Sequence, residues 1–91
     1  MKTLLIKVSG KVQGVFYRKS TYAKAVELGL TGKVSNQPDD TVHILVTGEP
    51  AELEQLVSWC WQGPPRAEVT NIIIEEKELL QFPSFSIDRQ A

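Results

Sequence analysis

An arginine that closes a glycine-bracketed loop can hold a phosphate, and this sequence has one in Gly10-Lys11-Val12-Gln13-Gly14-Val15-Phe16-Tyr17-Arg18. Arg18 offers a planar fork of N–H donors that matches phosphate oxygens, a geometry that lysine lacks. Gly14 permits tight turning and the close approach of an anion. Where a helix follows such a loop, its first unpaired N–H groups point outward and its dipole favours negative charge. The generic phosphate and nucleophile signatures are absent: there is no GxxxxGK[ST], no GxGxxG and no GxSxG. The residues alone therefore leave two readings of the segment, an anion cradle and a plain structural turn. Asn36 is the second residue whose type suits chemistry. Its amide can accept from and donate to a water molecule, but it cannot take up a proton near neutral pH. Taken singly, it is equally a turn or strand-end residue.

The elements that must carry these residues follow from periodicity. A strand over 4–9 places Leu4, Ile6 and Val8 on one face and Leu5, Lys7 and Ser9 on the other. After the loop, the pattern predicts a helix over 18–28, with Tyr22, Ala25 and Val26 as its apolar stripe and Gly29 at its C-cap. A second strand over 32–36 ends at Asn36, and Pro38, Asp39 and Asp40 mark a turn. A third strand over 42–47 alternates Val42, Ile44 and Val46 with His43, Leu45 and Thr47, which makes a hairpin with the second. Pro50 opens a second helix, with Glu52 and Glu54 near its positive end. Leu53, Leu56, Val57 and Cys60 mark its buried face, and Gly63-Pro64-Pro65 ends it. A fourth strand covers 67–75, and Phe85 and Ile87 mark a short last one. Two amphipathic helices need one apolar sheet face to cover. The expected architecture is α+β: a ferredoxin-like βαββαβ sandwich, mostly antiparallel, with both helices on one face and a short additional C-terminal strand. The other sheet face, with Lys7, His43 and Thr47, is expected to be partly exposed.

Composition narrows the function classes. The 91 residues suit a single domain over 1–91. A single cysteine, Cys60, and a single histidine, His43, exclude an intrachain disulfide and a Cys/His zinc site. Counting does not exclude a carboxylate magnesium site. The start MKTLLIKVSG imitates a signal peptide, but Lys7 interrupts a run that would need roughly 7–15 apolar residues. No stretch approaches the roughly 20 apolar residues of a membrane span. The expectation is a cytoplasmic protein without a membrane association. Residues 1–33 hold seven of the ten Lys and Arg but one acidic residue, Glu27, so the first third is the part suited to meet an anion. With a net charge of −1, the chain is no nucleic-acid candidate. An RNA-recognition module shares the element order, but aromatic residues are missing from 4–9 and 42–48.

At these same segments the chain resembles the acylphosphatases. Val12 to Arg18 is similar to their phosphate loop VQGVxFR, with Tyr17 where phenylalanine is common. Gly29-Leu30-Thr31-Gly32-Lys33-Val34-Ser35-Asn36 is similar to their GLxGWVxN segment. Gly63-Pro64 with Ala67 and Val69 is similar to their GPxxAxV turn, and the closing Phe85-Ser86-Ile87 also fits. The resemblance covers essentially the whole chain. It implies hydrolysis of an acyl phosphate to a carboxylate and inorganic phosphate, without cofactor, metal or covalent intermediate. Carried across by motif, backbone N–H groups of Gln13, Gly14, Val15, Phe16, Tyr17 and Arg18 cradle the phosphate. Arg18 binds it, and Asn36 places the attacking water. The implied partners are a small acyl-phosphate substrate and phosphate as product; the chain is expected to act as a monomer. Three positions depart from the family pattern. Lys33 replaces a tryptophan, Asp40 a turn glycine and His43 a common glutamate. Lys33 is expected to alter a surface contact. Asp40 could change the aim of Asn36, which keeps open a non-catalytic anion-binding module. His43, Lys11 and Lys19 are read as surface residues, the two lysines with anion attraction as their alternative. Trp59, and with it Trp61, is read as partial core packing, and Cys60 as a small buried hydrophobe.

Overall fold

Alternation in two strands and a three-four spacing in one helix build most of the core. The computed structural model describes residues 1–89; positions 90 and 91 of the expected domain lie outside them. The chain order is β1 (Lys2–Lys11), α1 (Tyr17–Glu27), β2 (Thr31–Asn36), β3 (Val42–Gly48), α2 (Pro50–Gln62), β4 (Glu68–Lys77) and β5 (Phe85–Asp88). This is the expected order, with most element ends shifted by one or two residues. The strands form one sheet in the order β4-β1-β3-β2-β5. Every pairing is antiparallel except that of β2 with β5, which is parallel. Both helices lie on one face of this βαββαβ sandwich. There α1 packs on β2 and β5, and α2 on β4, β3 and β1.

The core sits between sheet and helices. Leu4, Ile6 and Val8 pair in register with Val46, Ile44 and Val42, and all six side chains are buried. From α2, Leu53, Leu56 and Cys60 close the layer, with Val57 and Trp59 at its margin. Fully burying a side chain of this size contributes about 1.5–3 kcal/mol. Trp61, in contrast, is half exposed, so only one of the two tryptophans packs as expected.

The stripe of α1 differs from expectation. Tyr22 and Val26 are 40% and 52% exposed, and the buried residues are Tyr17, Thr21 and Ala25. The helix begins one residue earlier than its apolar pattern implies, so Tyr17 becomes the foot of the buried stripe. Thr21 is polar and so breaks an apolar periodicity, but its hydroxyl donates to the carbonyl of Tyr17 at 2.8 Å, which lets it be buried. The helix ends at Glu27 with Leu28 as its C-cap, so Gly29, expected at the cap, lies one residue beyond it. The amides of Gly29 and Leu30 donate back to Val26 and Ala25, and the left-handed conformation this needs falls on the glycine (φ +72°).

The outer sheet face carries Lys7 and His43 side by side, both part-exposed. Thr47 is a correction: it is buried. Its hydroxyl lies 2.6 Å from that of Thr3 and donates to the carbonyl of Leu80, whose amide donates to Thr3. The segment between β4 and β5 thus covers that corner of the face.

Candidate active site

The loop between β1 and α1 is pinned from below and open from above. Val12, Val15 and Tyr17 are buried, whereas Gly14 and Phe16 are exposed. This alternation makes the backbone ride on the core. Gly14 (φ +74°) and Phe16 (φ +66°) are left-handed, and Val15 between them is not. Alternating conformations of this kind turn successive amides toward one concavity, the geometry of an anion nest. A Cβ at Gly14 would meet nothing within 4 Å, so glycine is needed there for its conformation and not for space. Among the described residues, none of the amides of residues 13–18 donates to an acceptor within the protein. They run directly into the first turn of α1, whose own amides are unpaired by construction.

Tyr17 fixes the helix that carries Arg18. Its hydroxyl donates to the carbonyl of Cys60 in α2 at 2.8 Å, and its ring packs 5.6 Å from that of Trp59. Burial, with the neighbouring Cys60 as a lesser cause, holds the phenol protonated far above its ordinary range. Burial likewise pushes the Cys60 thiol up to about 12, so it is an inert hydrophobe and no nucleophile. The Arg18 guanidinium is steadied at one nitrogen, where Nη1 donates to the carbonyl of Asp88 at the end of β5 (3.3 Å). The remaining donors can face a ligand.

Asn36 ends β2, opposite Val42 in the register. Its Oδ1 is buried and, among the described residues, has no hydrogen-bond partner. A buried polar oxygen without a partner costs about 1–3 kcal/mol and calls for an explanation in the site's work. The turn after it is tightly tied. Gln37 and Thr41 bond across it, Asp40 donates to Gln37, and the Asp39 carboxylate accepts from both the amide and the hydroxyl of Thr41. Those two bonds from Thr41 hold the Asp39 carboxyl below its usual range. Asp40 adopts the left-handed conformation (φ +72°) that a glycine would take there. The turn therefore forms with aspartate in the glycine's place.

Arg18, Gly14, Phe16, Tyr17 and Asn36 all line one open cleft of about 960 Å³. The structure thus brings together Arg18, Asn36 and the loop. Lys19 lines the cleft as well, but Lys11 and His43 do not. Burial and the nearby Lys7 lower the His43 pKa on the outer sheet face, away from the cleft. Lys33 is exposed. Two contributors escape sequence reading. Arg89 reaches the cleft because β5 pairs in parallel with β2, which sets Ser35 beside Asp88. Tyr22 lines it beside Phe85, their rings 6.2 Å apart. A basic residue just past the last strand was the available signal for Arg89. Among the described residues, no group of three His, Cys, Asp or Glu side chains could hold a metal ion. No helix among them is long and apolar enough to cross a membrane.

Comparison with known proteins agrees with this geometry. The family model for acylphosphatases matches residues 4–87. An acylphosphatase of Acaryochloris marina is 49% identical over 82 residues, covering 90% of this chain and 88% of that protein. The solved acylphosphatase of Coxiella burnetii superposes with a TM-score of 0.92 at 40% identity, over 96% of this chain and 92% of that one. That of Bacillus subtilis gives 0.93 at 35% identity, over 97% and 99%.

Proposed function

The chain belongs to the acylphosphatase family and hydrolyses carboxyl-phosphate bonds, and from that premise we propose how its own residues do so. Arg18 and the backbone amides of Gln13, Gly14, Val15, Phe16, Tyr17 and Arg18 hold the phosphoryl group of a small acyl phosphate. Asn36 holds the attacking water. The observation that carries this reading is the unpartnered buried Oδ1 of Asn36, on the same cleft as Arg18 and the unspent amides.

The chemistry needs little more. A carboxylate is a good leaving group, so no strong general acid is required. Phosphoryl transfer to water is then mostly positioning and electrostatic stabilisation. The amides and guanidinium stand where charge spreads over the phosphoryl oxygens, in place before the reaction begins. The water donates one proton in a hydrogen bond to Asn36 Oδ1, which orients its lone pair toward phosphorus. Asparagine takes up no proton, so the water's other proton passes to a phosphate oxygen as the P–O bond to water forms and the bond to the acyl oxygen breaks. The products are inorganic phosphate and the free carboxylate. This reading treats residues 1–91 as one monomeric domain, active in the cytoplasm and without a cofactor.

The test is phosphate release from benzoyl phosphate with a metal chelator present. Wild type keeps full turnover in chelator. Arg18→Ala loses about 10²–10³-fold in kcat, the usual cost of one aligned donor. Near-normal turnover in that variant would remove Arg18 from the mechanism.

A further inference from the structure

The side chain of Gln13 leaves the phosphate loop and reaches the turn that follows Asn36. Its Nε2 donates to the carbonyls of Gln37 and Thr41, each at 2.9 Å. These carbonyls stand at the two ends of the turn. Gln37 directly follows Asn36, and Thr41 directly precedes Val42, the register partner of Asn36. Each carbonyl already accepts one bond from inside the turn, Thr41 from the Gln37 amide (2.9 Å) and Gln37 from the Asp40 amide (3.1 Å). Gln13 fills the second acceptor position of both. Only the nitrogen of a carboxamide can face two carbonyl oxygens, so chemistry fixes which way this amide points.

The Asn36 side chain has no comparable restraint. Among the described residues Oδ1 has no partner, and no side-chain hydrogen bond steadies its amide. Its aim therefore comes from the backbone that carries it and from packing. That backbone is tied to the anion cradle by the Gln13 side chain. We propose that Gln13 is a positioning residue for Asn36, and that it locks the distance between the phosphate held by the loop and the water held beyond it. The proposal rests on the reading of Asn36 given above. It assigns the Gln13 carboxamide a task separate from that of its backbone amide in the cradle.

Gln13→Met keeps the length and apolar stem of the side chain and removes both donors; Gln13→Ala removes the reach as well. The measurements are kcat on benzoyl phosphate and competitive inhibition by inorganic phosphate. Both variants should lose about 10- to 100-fold in kcat, the scale of an ångström's misplacement. The phosphate inhibition constant should change by less than about 3-fold, because the cradle is intact. In an Asn36→Ala background, adding Gln13→Met should change kcat by less than about 2-fold, because nothing is left to position. A readout independent of turnover is the pair of Asn36 side-chain amide signals in a ¹H–¹⁵N spectrum, which should move in Gln13→Met.

Full turnover in Gln13→Met while Asn36→Ala is impaired overturns this proposal and leaves the reading of Asn36 standing. Full turnover in Asn36→Ala overturns the reading beneath it. A full Gln13→Met loss on top of Asn36→Ala, a phosphate constant that rises in step with the kcat loss, or unmoved Asn36 signals would each overturn the positioning role.

Discussion

Replacing Tyr17 by phenylalanine removes one oxygen atom and orphans one carbonyl. The carbonyl of Cys60 would ordinarily accept from the amide four residues on, but that residue is Pro64, which has no N–H. The next amide back, that of Gly63, is spent on Trp59. The Tyr17 hydroxyl, 2.8 Å away, supplies the missing donor, and Tyr17 itself is only 1% exposed. Phenylalanine is the residue the family commonly carries here, so the ring fits and the variant isolates the hydroxyl. Leaving a buried acceptor unsatisfied costs about 1–3 kcal/mol. Taking about 2 kcal/mol, a chain of this size should show a fall in Tm of roughly 8–16 °C. The assay is thermal unfolding followed by far-UV circular dichroism, with benzoyl phosphate turnover at 25 °C as control. Turnover should stay near wild type there, because small domains keep several kcal/mol in hand at that temperature. A Tm within about 2 °C of wild type would show that the Cys60 carbonyl is satisfied without Tyr17, and would refute the reasoning.

Asp40→Gly should relieve the left-handed aspartate and raise stability by about 0.5 kcal/mol, a Tm gain of roughly 2–4 °C, with turnover unchanged; a lower Tm would count against strain at this position. On the outer face, bonds to Lys7 and then Lys77 hold Glu75 down to about 2. The stability this carboxylate contributes is therefore present above about pH 4.5 and is lost as pH falls through about 2. Burial first, and Lys7 second, depress His43 below 6.5, so its contribution is present above pH 6.5 and is lost as pH falls through the folded midpoint. Lys7→Met should raise both midpoints in an NMR titration, and a fall in either would contradict the assigned causes.

The fold was legible where burial follows a simple period. Leu4-Ile6-Val8 and Val42-Ile44-Val46 alternate in sequence and meet in register in the core. That Arg18 and Asn36 would meet on one cleft was legible through the two long motifs that carry them. What escaped depends on polar groups satisfied at a distance. Thr21 and Thr47 are buried because a backbone carbonyl accepts their hydroxyl protons, and no local pattern announces that. Arg89 reaches the cleft only through the parallel pairing of β5 with β2. The Gln13 side chain acts across 24 and 28 residues, a separation over which single-sequence periodicity carries no information.

The division of labour between Arg18 and Asn36 is tested most directly by Asn36→Ala, assayed for both benzoyl phosphate turnover and inhibition by inorganic phosphate. A residue that holds only the water should cost about 100-fold in kcat when truncated and leave the phosphate inhibition constant nearly unchanged. Turnover close to wild type, or equal losses in turnover and phosphate binding, would contradict the assignment.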